Sequence, residues 1–289
     1  MKIKILIPLY NDWQSLLKLL ENINHQIDNT DIIFSILVVN DGSIEKIPQR
    51  FPDYPKFNSI KIMNLKNNIG HARCIATGLK YIMENDEFDY VIPMDSDGED
   101  RPEEIKDLIQ KTETNLELPV VCERIKRSEG ILFKLCYFFH KLITKTFTGK
   151  SIRFGNFTCL PKIIIKKMIE EKATWSSFSG ALSKISKDKI AVSSERGTRY
   201  FGPSKMSFKN LIVHSLSIIS VFKYDVLIRS ILFFFVYHFL IYEKISVITL
   251  IPLLLIIIFN LLVFVISRRE NLESYRKSDL NILDVKIVK

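Results

Sequence analysis

The feature of this chain that most constrains its fold is a nearly continuous apolar stretch near its C-terminal end, residues 226–266. The second half, residues 245–266, has no charged side chain and can cross a hydrocarbon core of about 30 Å at about 1.5 Å per residue. The first half, residues 227–242, is shorter and contains an arginine and a histidine, so a marginal span and a buried core helix both remain open. Because the break between the two halves, around Glu243 and Lys244, is only a few residues long, we predict a two-helix transmembrane hairpin.

Basic residues flank both ends of the predicted hairpin, among them Lys223 before it and Arg268 after it. Positive charge on both flanks favours a cytoplasmic location for both. The chain starts with a strand pattern rather than with the features of a signal peptide. We therefore expect a multi-pass protein of the inner (plasma) membrane with its main domain in the cytoplasm. Its three parts are a cytosolic domain at 1–222, the hairpin at 226–266 and a cytoplasmic polar tail at 267–289.

Ahead of the hairpin, residues 2–122 alternate between strand patterns and helix patterns. Short apolar runs that are typical of buried strands lie at 3–7, 32–39, 60–65, 90–94 and 118–122. Alternation of this kind predicts an α/β fold with a mostly parallel sheet and flanking helices. Ligands of such sheets bind beyond the carboxyl ends of the strands. The candidate site loops are therefore 8–12, 40–43 and 95–100.

The third of these loops is strongly acidic and contains Asp95, Asp97, Glu99 and Asp100. Carboxylates this close together raise one another's pKa unless a cation or solvent screens them. A hard divalent cation such as Mg²⁺ or Mn²⁺ prefers oxygen ligands and also bridges substrate phosphates. We expect a metal site here, and a solvated acidic turn that caps the next helix is the alternative.

Four motifs in chain order give residues 3 to about 210 a resemblance to family 2 glycosyltransferases of the GT-A fold. They are Pro8-Leu9-Tyr10-Asn11-Asp12, Val39-Asn40-Asp41-Gly42-Ser43, Asn68-x-Gly70-x-Ala72 and Asp95-Ser96-Asp97. Later residues resemble a membrane-bound subgroup, the polyprenyl-phosphate sugar transferases of the dolichol-phosphate mannose synthase type. They are Glu123-Arg124, Arg127-Ser128-Glu129-Gly130, Gly155-Asn156-Phe157 and Gly202-Pro203-Ser204-Lys205.

The resemblance implies a GT-A sheet, a nucleotide-sugar donor and Mg²⁺ or Mn²⁺ as cofactor. The residues implied to bind the nucleotide sugar are Pro8, Tyr10, Asp12, Asn40, Asp41, Gly70 and Asp95. The implied metal ligands are Asp95 and Asp97, and the candidate catalytic residues are Asp97, Glu99 and Arg196. The chain departs from the family pattern at Asn40 and Asn156, where Asp is usual, at Asp12, where Glu is usual, and at Glu99, where Gln is common. Because Asn40 can donate as well as accept a hydrogen bond, the identity of the base does not carry over.

Residues 131–147 combine a wide apolar stripe with charged side chains that are only basic. This pattern is typical of a helix that lies in the interface of an anionic membrane. We predict such an interfacial helix, and an ordinary amphipathic helix packed on the domain is the alternative.

Arginine and lysine residues lie on both sides of this predicted helix and ahead of the hairpin. Arginine binds phosphate oxygens through two parallel hydrogen bonds, and lysine adds a point charge. The residues that we assign to an acceptor phosphate are Arg124, Arg127, Arg199 and Lys205. The chain has 41 Lys+Arg against 32 Asp+Glu, a net charge of +9. We expect no nucleic-acid partner, because the basic charge accompanies a membrane anchor and no nucleic-acid-binding motif is recognised.

The resemblance implies an inverting glycosyltransferase that moves one sugar from a UDP- or GDP-sugar, and the membrane segments and basic residues predict a membrane-embedded acceptor, with polyprenyl phosphate favoured. A hydroxyl acceptor needs a positioned base, whereas a phosphate is already anionic. Residues 175–185, where hydroxyl-using relatives keep an acidic base, contain no Asp or Glu. Transfer to a hydroxyl of a lipid-linked glycan in cell-envelope polysaccharide assembly remains open, with Glu195, Asp188 or Glu99 as base. A catalytically degenerate membrane scaffold is the non-enzymatic alternative, and a homo-oligomer is compatible with so short an anchor.

Overall fold

The computed structural model describes residues 1–27, 31–126, 131–203 and 207–289. The chain divides into two compact units, and each unit is built from separated stretches of sequence. The first, which we call the sheet unit, comprises residues 1–128, 153–205 and 271–289. The second, which we call the helical unit, comprises residues 129–152 and 206–270. The chain therefore leaves the sheet unit twice and returns to it each time.

The described residues of the sheet unit form eight strands. They are β1 (Lys2–Leu9), β2 (Ile33–Asn40), β3 (Phe57–Leu65), β4 (Tyr90–Pro93), β5 (Val120–Lys126), β6 (Phe154–Pro161), β7 (Ile190–Glu195) and β8 (Ile282–Ile287). The helices of the same unit are α1 (Trp13–Gln26), α2 (His71–Asn85), α3 (Ile105–Thr112), α5 (Lys162–Glu170), α6 (Phe178–Ile185) and α10 (Leu272–Arg276), and those of the helical unit are α4 (Ile131–Thr148), α7 (Phe208–Ser220), α8 (Lys223–Ile241) and α9 (Val247–Ser267).

The eight strands form one sheet in the order β7-β5-β6-β4-β1-β2-β3-β8. Strands β4, β1, β2 and β3 run parallel, whereas β6 and β8 run antiparallel to their neighbours. The central strands β1 and β2 are buried along almost their whole length, as expected for a parallel sheet covered on both faces. The predicted α/β class with a mostly parallel sheet is confirmed, and the five predicted strands occur as β1 to β5.

The C-terminal residues differ from the expectation of a polar tail. Strand β8 extends the sheet by pairing antiparallel with β3, and Tyr275, on α10 just ahead of it, is 1% exposed. The Tyr275 ring stacks on Trp175 at 5.5 Å between centroids, and Lys80 Nζ lies 2.7 Å from an Asp279 oxygen. Hydrogen bonding to the open edge of β3 satisfies backbone groups that a free tail would leave to solvent. The composition of this segment is polar, but its structure is that of an edge strand.

The helical unit carries the apolar stretch as two helices, α8 and α9. Both are long and apolar enough to cross a membrane, with mean hydropathy values of 1.7 and 3.0 over their most apolar windows. Most of their large apolar side chains point outward, and they meet each other through few polar groups, including Asn260 Nδ2, which donates to Ser230 Oγ at 2.8 Å. The predicted pair of C-terminal apolar helices is confirmed. Helix α4 also exposes large apolar side chains, with Phe138 at 59% and Phe139 at 51%.

Candidate functional site

The candidate site begins where β1, β2 and β4 end, at the same edge of the parallel sheet. Pro8 is buried within β1, while Tyr10, just beyond the strand, is 43% exposed. Asn40 and Asp41 are buried at the end of β2, and the acidic loop follows β4. Because the parallel strands deliver these loops to one edge, residues far apart in sequence become neighbours.

The acidic loop is held in a tight turn by its own carboxylates. The backbone N–H of Asp95 donates to Asp100 at 3.0 Å, and the backbone N–H of Glu99 donates to Asp97 at 2.9 Å. Gly98, between them, has a φ of 89°, and a Cβ there would lie 2.6 Å from the ring of Tyr200. The turn therefore requires glycine at this position both for its backbone conformation and for its contact with Tyr200.

A basic segment that follows β7, residues 196–200, contacts this loop. Arg196 Nε donates to Glu99 at 2.8 Å. Arg199 donates to Asp97 with one guanidinium nitrogen and to Asp12 with the other, the latter at 2.9 Å. The backbone N–H of Tyr200 donates to the Asp97 carbonyl at 2.9 Å. Arg199, predicted to bind the acceptor phosphate, is therefore paired in this structure with Asp12 and Asp97, which are predicted to bind the nucleotide sugar and the metal.

The end of β7 that precedes this segment is anchored by a buried carboxylate, Glu104, which the sequence did not single out. Ser194 Oγ donates to Glu104 at 2.7 Å, and the backbone N–H of Glu195 donates to the other Glu104 oxygen at 3.0 Å. Glu104 is 7% exposed, so these hydrogen bonds replace water that it has lost. Glu104 therefore fixes the position of the backbone from which the segment with Arg196 and Arg199 starts.

Crowding of acids perturbs the titration of the loop. Burial raises the pKa of Asp97 to about 6, and the charge of Asp95 adds to the rise. Burial also raises the pKa of Asp100 to about 7, again with a contribution from Asp95. Burial opposes ionisation of Asp95 as well, but the positive charges of His71 and Arg124, together with the neighbouring polar groups, outweigh burial and lower the pKa of Asp95. One firmly ionised carboxylate therefore sits beside two that are readily protonated.

Three further polar side chains surround Asp95. His71, the first residue of α2, has Nε2 3.3 Å from Asp95 Oδ1 and 2.7 Å from Asn156 Nδ2. Burial alone would lower the pKa of His71, but the Asp95 carboxylate raises it. Arg124 donates to Asp100 at 3.2 Å. Asn156, which replaces the Asp of many relatives, thus contacts the ring that contacts Asp95.

The two loops predicted to hold the nucleoside are tied to each other and to α2. Asp41 accepts hydrogen bonds from the backbone N–H groups of Ile69 and Gly70, at 2.7 and 2.9 Å. Gly70 has a φ of 91° and is the residue before α2. The backbone N–H of Asn11 donates to Ser43 Oγ at 2.9 Å. Both carboxylate oxygens of Asp41 accept hydrogen bonds from the backbone, so Asp41 fixes the start of α2 at this edge of the sheet.

The acidic loop fits a divalent cation by the chemistry of its donor set. Asp95 Oδ1 is buried and makes no hydrogen bond of good geometry, although His71 lies close to it. Within the described ranges, no three His, Cys, Asp or Glu side chains converge into a complete ligand set. Mg²⁺ and Mn²⁺ in phosphate-transfer sites are commonly held by one or two carboxylates, with substrate phosphates and water completing the coordination. Asp95 and Asp97 would supply the protein's share.

The structure brings most of the predicted site residues to one edge of the sheet. Asp12, Asp97 and Arg199 are in direct contact, as are Glu99 and Arg196. Arg124, Arg196 and Arg199, which the sequence predicts to be acceptor-phosphate or catalytic residues, are each paired with a carboxylate of the acidic loop. Arg127 and Lys205 lie outside the described residues.

Solved structures with a similar fold include glucosyl-3-phosphoglycerate synthase from Mycobacterium tuberculosis, crystallised with Mn²⁺, uridine diphosphate and glucosyl-3-phosphoglycerate. It superposes with a TM-score of 0.54 at 14% identity, over 78% of this chain and 79% of that one. A second structure of that enzyme, with Mn²⁺, UDP-glucose and phosphoglyceric acid, gives a TM-score of 0.55 at 13% identity and covers 78% and 79% of the two chains. At these identities the likeness shows the GT-A fold.

Curated relatives include the uncharacterized glycosyltransferase YkcC of Bacillus subtilis, 25% identical over 76% of this chain and 68% of the relative. Another is the undecaprenyl-phosphate 4-deoxy-4-formamido-L-arabinose transferase of Photorhabdus laumondii, 27% identical over 73% of this chain and 65% of the relative. The chain thus spans about two thirds of the length of these relatives. A sequence model described as glycosyl transferase family 2 matches residues 4–162, more than half of the chain, and it covers the acidic loop and the loops after β1 and β2. The chain belongs to glycosyl transferase family 2.

Proposed function

We propose that this protein is a membrane-anchored inverting glycosyltransferase that moves one sugar from a UDP- or GDP-sugar to polyprenyl phosphate. The observation that carries the proposal is the position of Asp95 and Asp97. They follow β4 at the sheet edge that also holds the nucleoside loops, in a chain with two helices of bilayer length. A soluble acceptor would give those helices no evident purpose.

The donor half of the reaction follows from the charges at this edge. The leaving group is a nucleoside diphosphate, whose developing negative charge has to be balanced. A bound Mg²⁺ or Mn²⁺ would supply that balance as a Lewis acid. Asp95 and Asp97 would provide its carboxylate ligands. Arg196 and Arg199, which are paired with Glu99 and Asp97, would donate to the phosphate oxygens once they leave these carboxylates. His71, beside Asp95, adds a further donor.

The acceptor half is assigned by the absence of a suitable base together with the supply of cations. Within residues 175–185, which the structure describes in full, the sequence contains no Asp or Glu that could deprotonate a hydroxyl. A phosphate acceptor needs no base and is positioned by cationic donors. The named activity of the Photorhabdus laumondii relative, a transfer involving undecaprenyl phosphate, supports this choice.

The connectivity of the two units supports a hairpin topology. Residues 153–205 precede α8, residues 271–289 follow α9, and both stretches belong to the sheet unit. If the chain crosses a bilayer between them, it crosses an even number of times, because one folded unit cannot lie on both sides. We place the sheet unit in the cytoplasm at the inner membrane, and α4, with Phe138 and Phe139 exposed, in the membrane interface.

A donor and acceptor screen tests the proposal. Purified full-length protein in detergent is incubated with a panel of UDP- and GDP-sugars, with Mn²⁺ or Mg²⁺, and with either undecaprenyl phosphate or the matched neutral alcohol undecaprenol. We expect metal-dependent release of nucleotide and a glycolipid only with the phosphate. Product formed equally well on the alcohol would overturn the phosphate acceptor and favour a glycan hydroxyl. Absence of transfer from every donor, with nucleotide still bound, would favour the degenerate scaffold.

A further inference from the structure

We infer that Asp284, on the strand that follows the membrane helices, is a positioning residue for the nucleotide-sugar donor. It lies outside the part of the chain that matches the family. The register of the sheet places Asn40, Asn64 and Asp284 side by side on β2, β3 and β8. This row ends at the donor edge, because Asn40 is the last residue of β2. The inference rests on the proposed function.

A continuous chain of hydrogen bonds joins Asp284 to both nucleoside loops. Asn64 Nδ2 donates to Asp284 Oδ1 at 2.5 Å, and Asn40 Nδ2 donates to Asn64 Oδ1 at 2.9 Å. The backbone N–H of Ser43 donates to Asn40 Oδ1 at 3.2 Å. Ser43 Oγ in turn accepts from the backbone N–H of Asn11 at 2.9 Å. We call these five residues the donor relay.

Asp284 sets the direction of the donor relay. An ionised carboxylate only accepts hydrogen bonds, so Asn64 must turn its amide nitrogen toward Asp284 and its oxygen toward Asn40. Asn40 must then turn its nitrogen toward Asn64, which leaves its oxygen for the Ser43 N–H. Asn64 and Asn40 are only 5% and 6% exposed, so these two amides depend on protein partners, whereas the Asp284 side chain is 41% exposed and its other oxygen lies 3.9 Å from Lys286 Nζ. Without Asp284 the two amides lose the group that determines their orientation.

The relay explains the amide at position 40. An aspartate at position 40 would place a carboxylate oxygen opposite the Asn64 oxygen, and the two acceptors would repel each other. If the Asn64 amide turned over to donate to that aspartate, its oxygen would instead face Asp284, which is also an acceptor. Asn40 and Asp284 therefore form a matched pair across Asn64. We expect this pairing to affect binding of the nucleoside part of the donor, because the relay ends in the two loops after β1 and β2.

The test compares variants of the full-length protein that each remove one carboxylate from the C-terminal segment. Asp284→Leu removes the acceptor and keeps the side-chain size, whereas Asp284→Asn keeps an acceptor oxygen in place. Asp279→Asn is the control, because it breaks the Lys80 contact that anchors the same segment but lies off the relay. Dissociation constants for UDP and GDP, with Mn²⁺, are measured by calorimetry, and KM for donor and lipid are measured separately.

We expect Asp284→Leu to raise the nucleotide dissociation constant and the donor KM on the order of tenfold, the loss typical of a hydrogen bond to a charged group. The lipid KM should be unchanged, and Asp279→Asn should bind nucleotide as the wild type does. Asp284→Asn keeps an acceptor oxygen but is neutral and can also donate, so its nucleotide dissociation constant should lie between those of the wild type and Asp284→Leu. In a double-mutant cycle, Asp284→Leu should add nothing once Asn64→Leu is present. Thermal melting checks folding, and Asp284→Thr, with a strand-favouring side chain, replaces the leucine variant if that variant fails to fold.

The possible outcomes separate this inference from the proposed function. If the wild type binds a nucleotide and Asp284→Leu binds it with the same dissociation constant, the donor relay alone is overturned. Additive effects of Asp284→Leu and Asn64→Leu in the cycle would have the same consequence. Equal loss of binding in Asp284→Leu and Asp279→Asn would reduce Asp284 to an anchor of the segment and would also overturn the relay. A wild-type protein that binds neither nucleotide would overturn the proposed function, and the donor role of Asp284 with it.

Discussion

Arg199 offers the sharpest test of how the acidic loop is held before a metal binds. Its guanidinium group joins Asp12, from the loop after β1, to Asp97, from the loop after β4. The three side chains are 14–15% exposed, so the pairing is partly shielded from solvent. Replacing Arg199 with alanine would leave two carboxylates facing each other without their shared cation.

The size of the effect follows from the two charge-assisted hydrogen bonds that are lost. At about 1.5–3 kcal/mol for each bond, and because the remaining solvent access weakens both, we expect a loss of about 3 kcal/mol in the free energy of unfolding. For a domain of this size, about 2–4 °C per kcal/mol converts this loss into a fall in Tm of roughly 6–12 °C. Mn²⁺ should restore more stability in the variant than in the wild type, because Arg199 no longer competes for Asp97.

The assay is thermal unfolding in detergent, first with EDTA and then with Mn²⁺. Arg153→Ala is the control, because Arg153 is an exposed arginine of the same unit, and its Tm should stay close to the wild-type value. Arg199→Lys should fall between the wild type and Arg199→Ala, since an ammonium group cannot reach both carboxylates in a planar fork. An Arg199→Ala protein that melts with the wild type in EDTA and gains no extra stability from Mn²⁺ would refute the reasoning. Arg199 would then be a candidate for the acceptor phosphate alone.

Three further predictions concern the metal, the pH and the membrane. Asp97→Asn should abolish sugar transfer without unfolding the protein, whereas the control Asp107→Asn, an exposed change on α3, should leave the transfer rate unchanged. If Asp97→Asn kept more than about a tenth of the wild-type rate, a loss under about 1.4 kcal/mol, Asp97 would not be a metal ligand. The pKa values of Asp97 and Asp100, about 6 and 7, lie above the ordinary value for aspartate, so the stability that these acids contribute to the metal-free protein is present at low pH and is lost as pH rises through 6–7. Thermal melting in EDTA should show this trend. Mn²⁺ affinity should change in the opposite direction and weaken as pH falls from 8 to about 5.5, because protonated carboxylates do not bind the metal. Reporter fusions after Glu243 and Arg269 should report the external and the cytoplasmic side, respectively, and a cytoplasmic signal at Glu243 would exclude the hairpin.

The sequence alone determined the parts of this protein that depend on local pattern. Apolar runs of strand length separated by helical periodicity predicted β1 to β5 and a mostly parallel sheet. The uncharged stretch 245–266 predicted α9, and the acidic loop was visible because Asp95, Asp97, Glu99 and Asp100 are neighbours in the chain. In each case the signal lies within about twenty residues, where hydrophobic period and composition are directly readable.

The tertiary structure decided which distant residues meet. The sequence predicts Arg199 to be a ligand of the acceptor phosphate. In the structure it is paired with Asp12 and Asp97, because the parallel strands bring those loops to one edge. The C-terminal residues were expected to form a polar tail, and β8 instead completes the sheet, where Asp284 meets Asn64. An edge strand needs only one weakly apolar face, so its composition resembles that of a tail. Its partner is more than 200 residues away, and pairing over such a separation leaves no local pattern in the sequence.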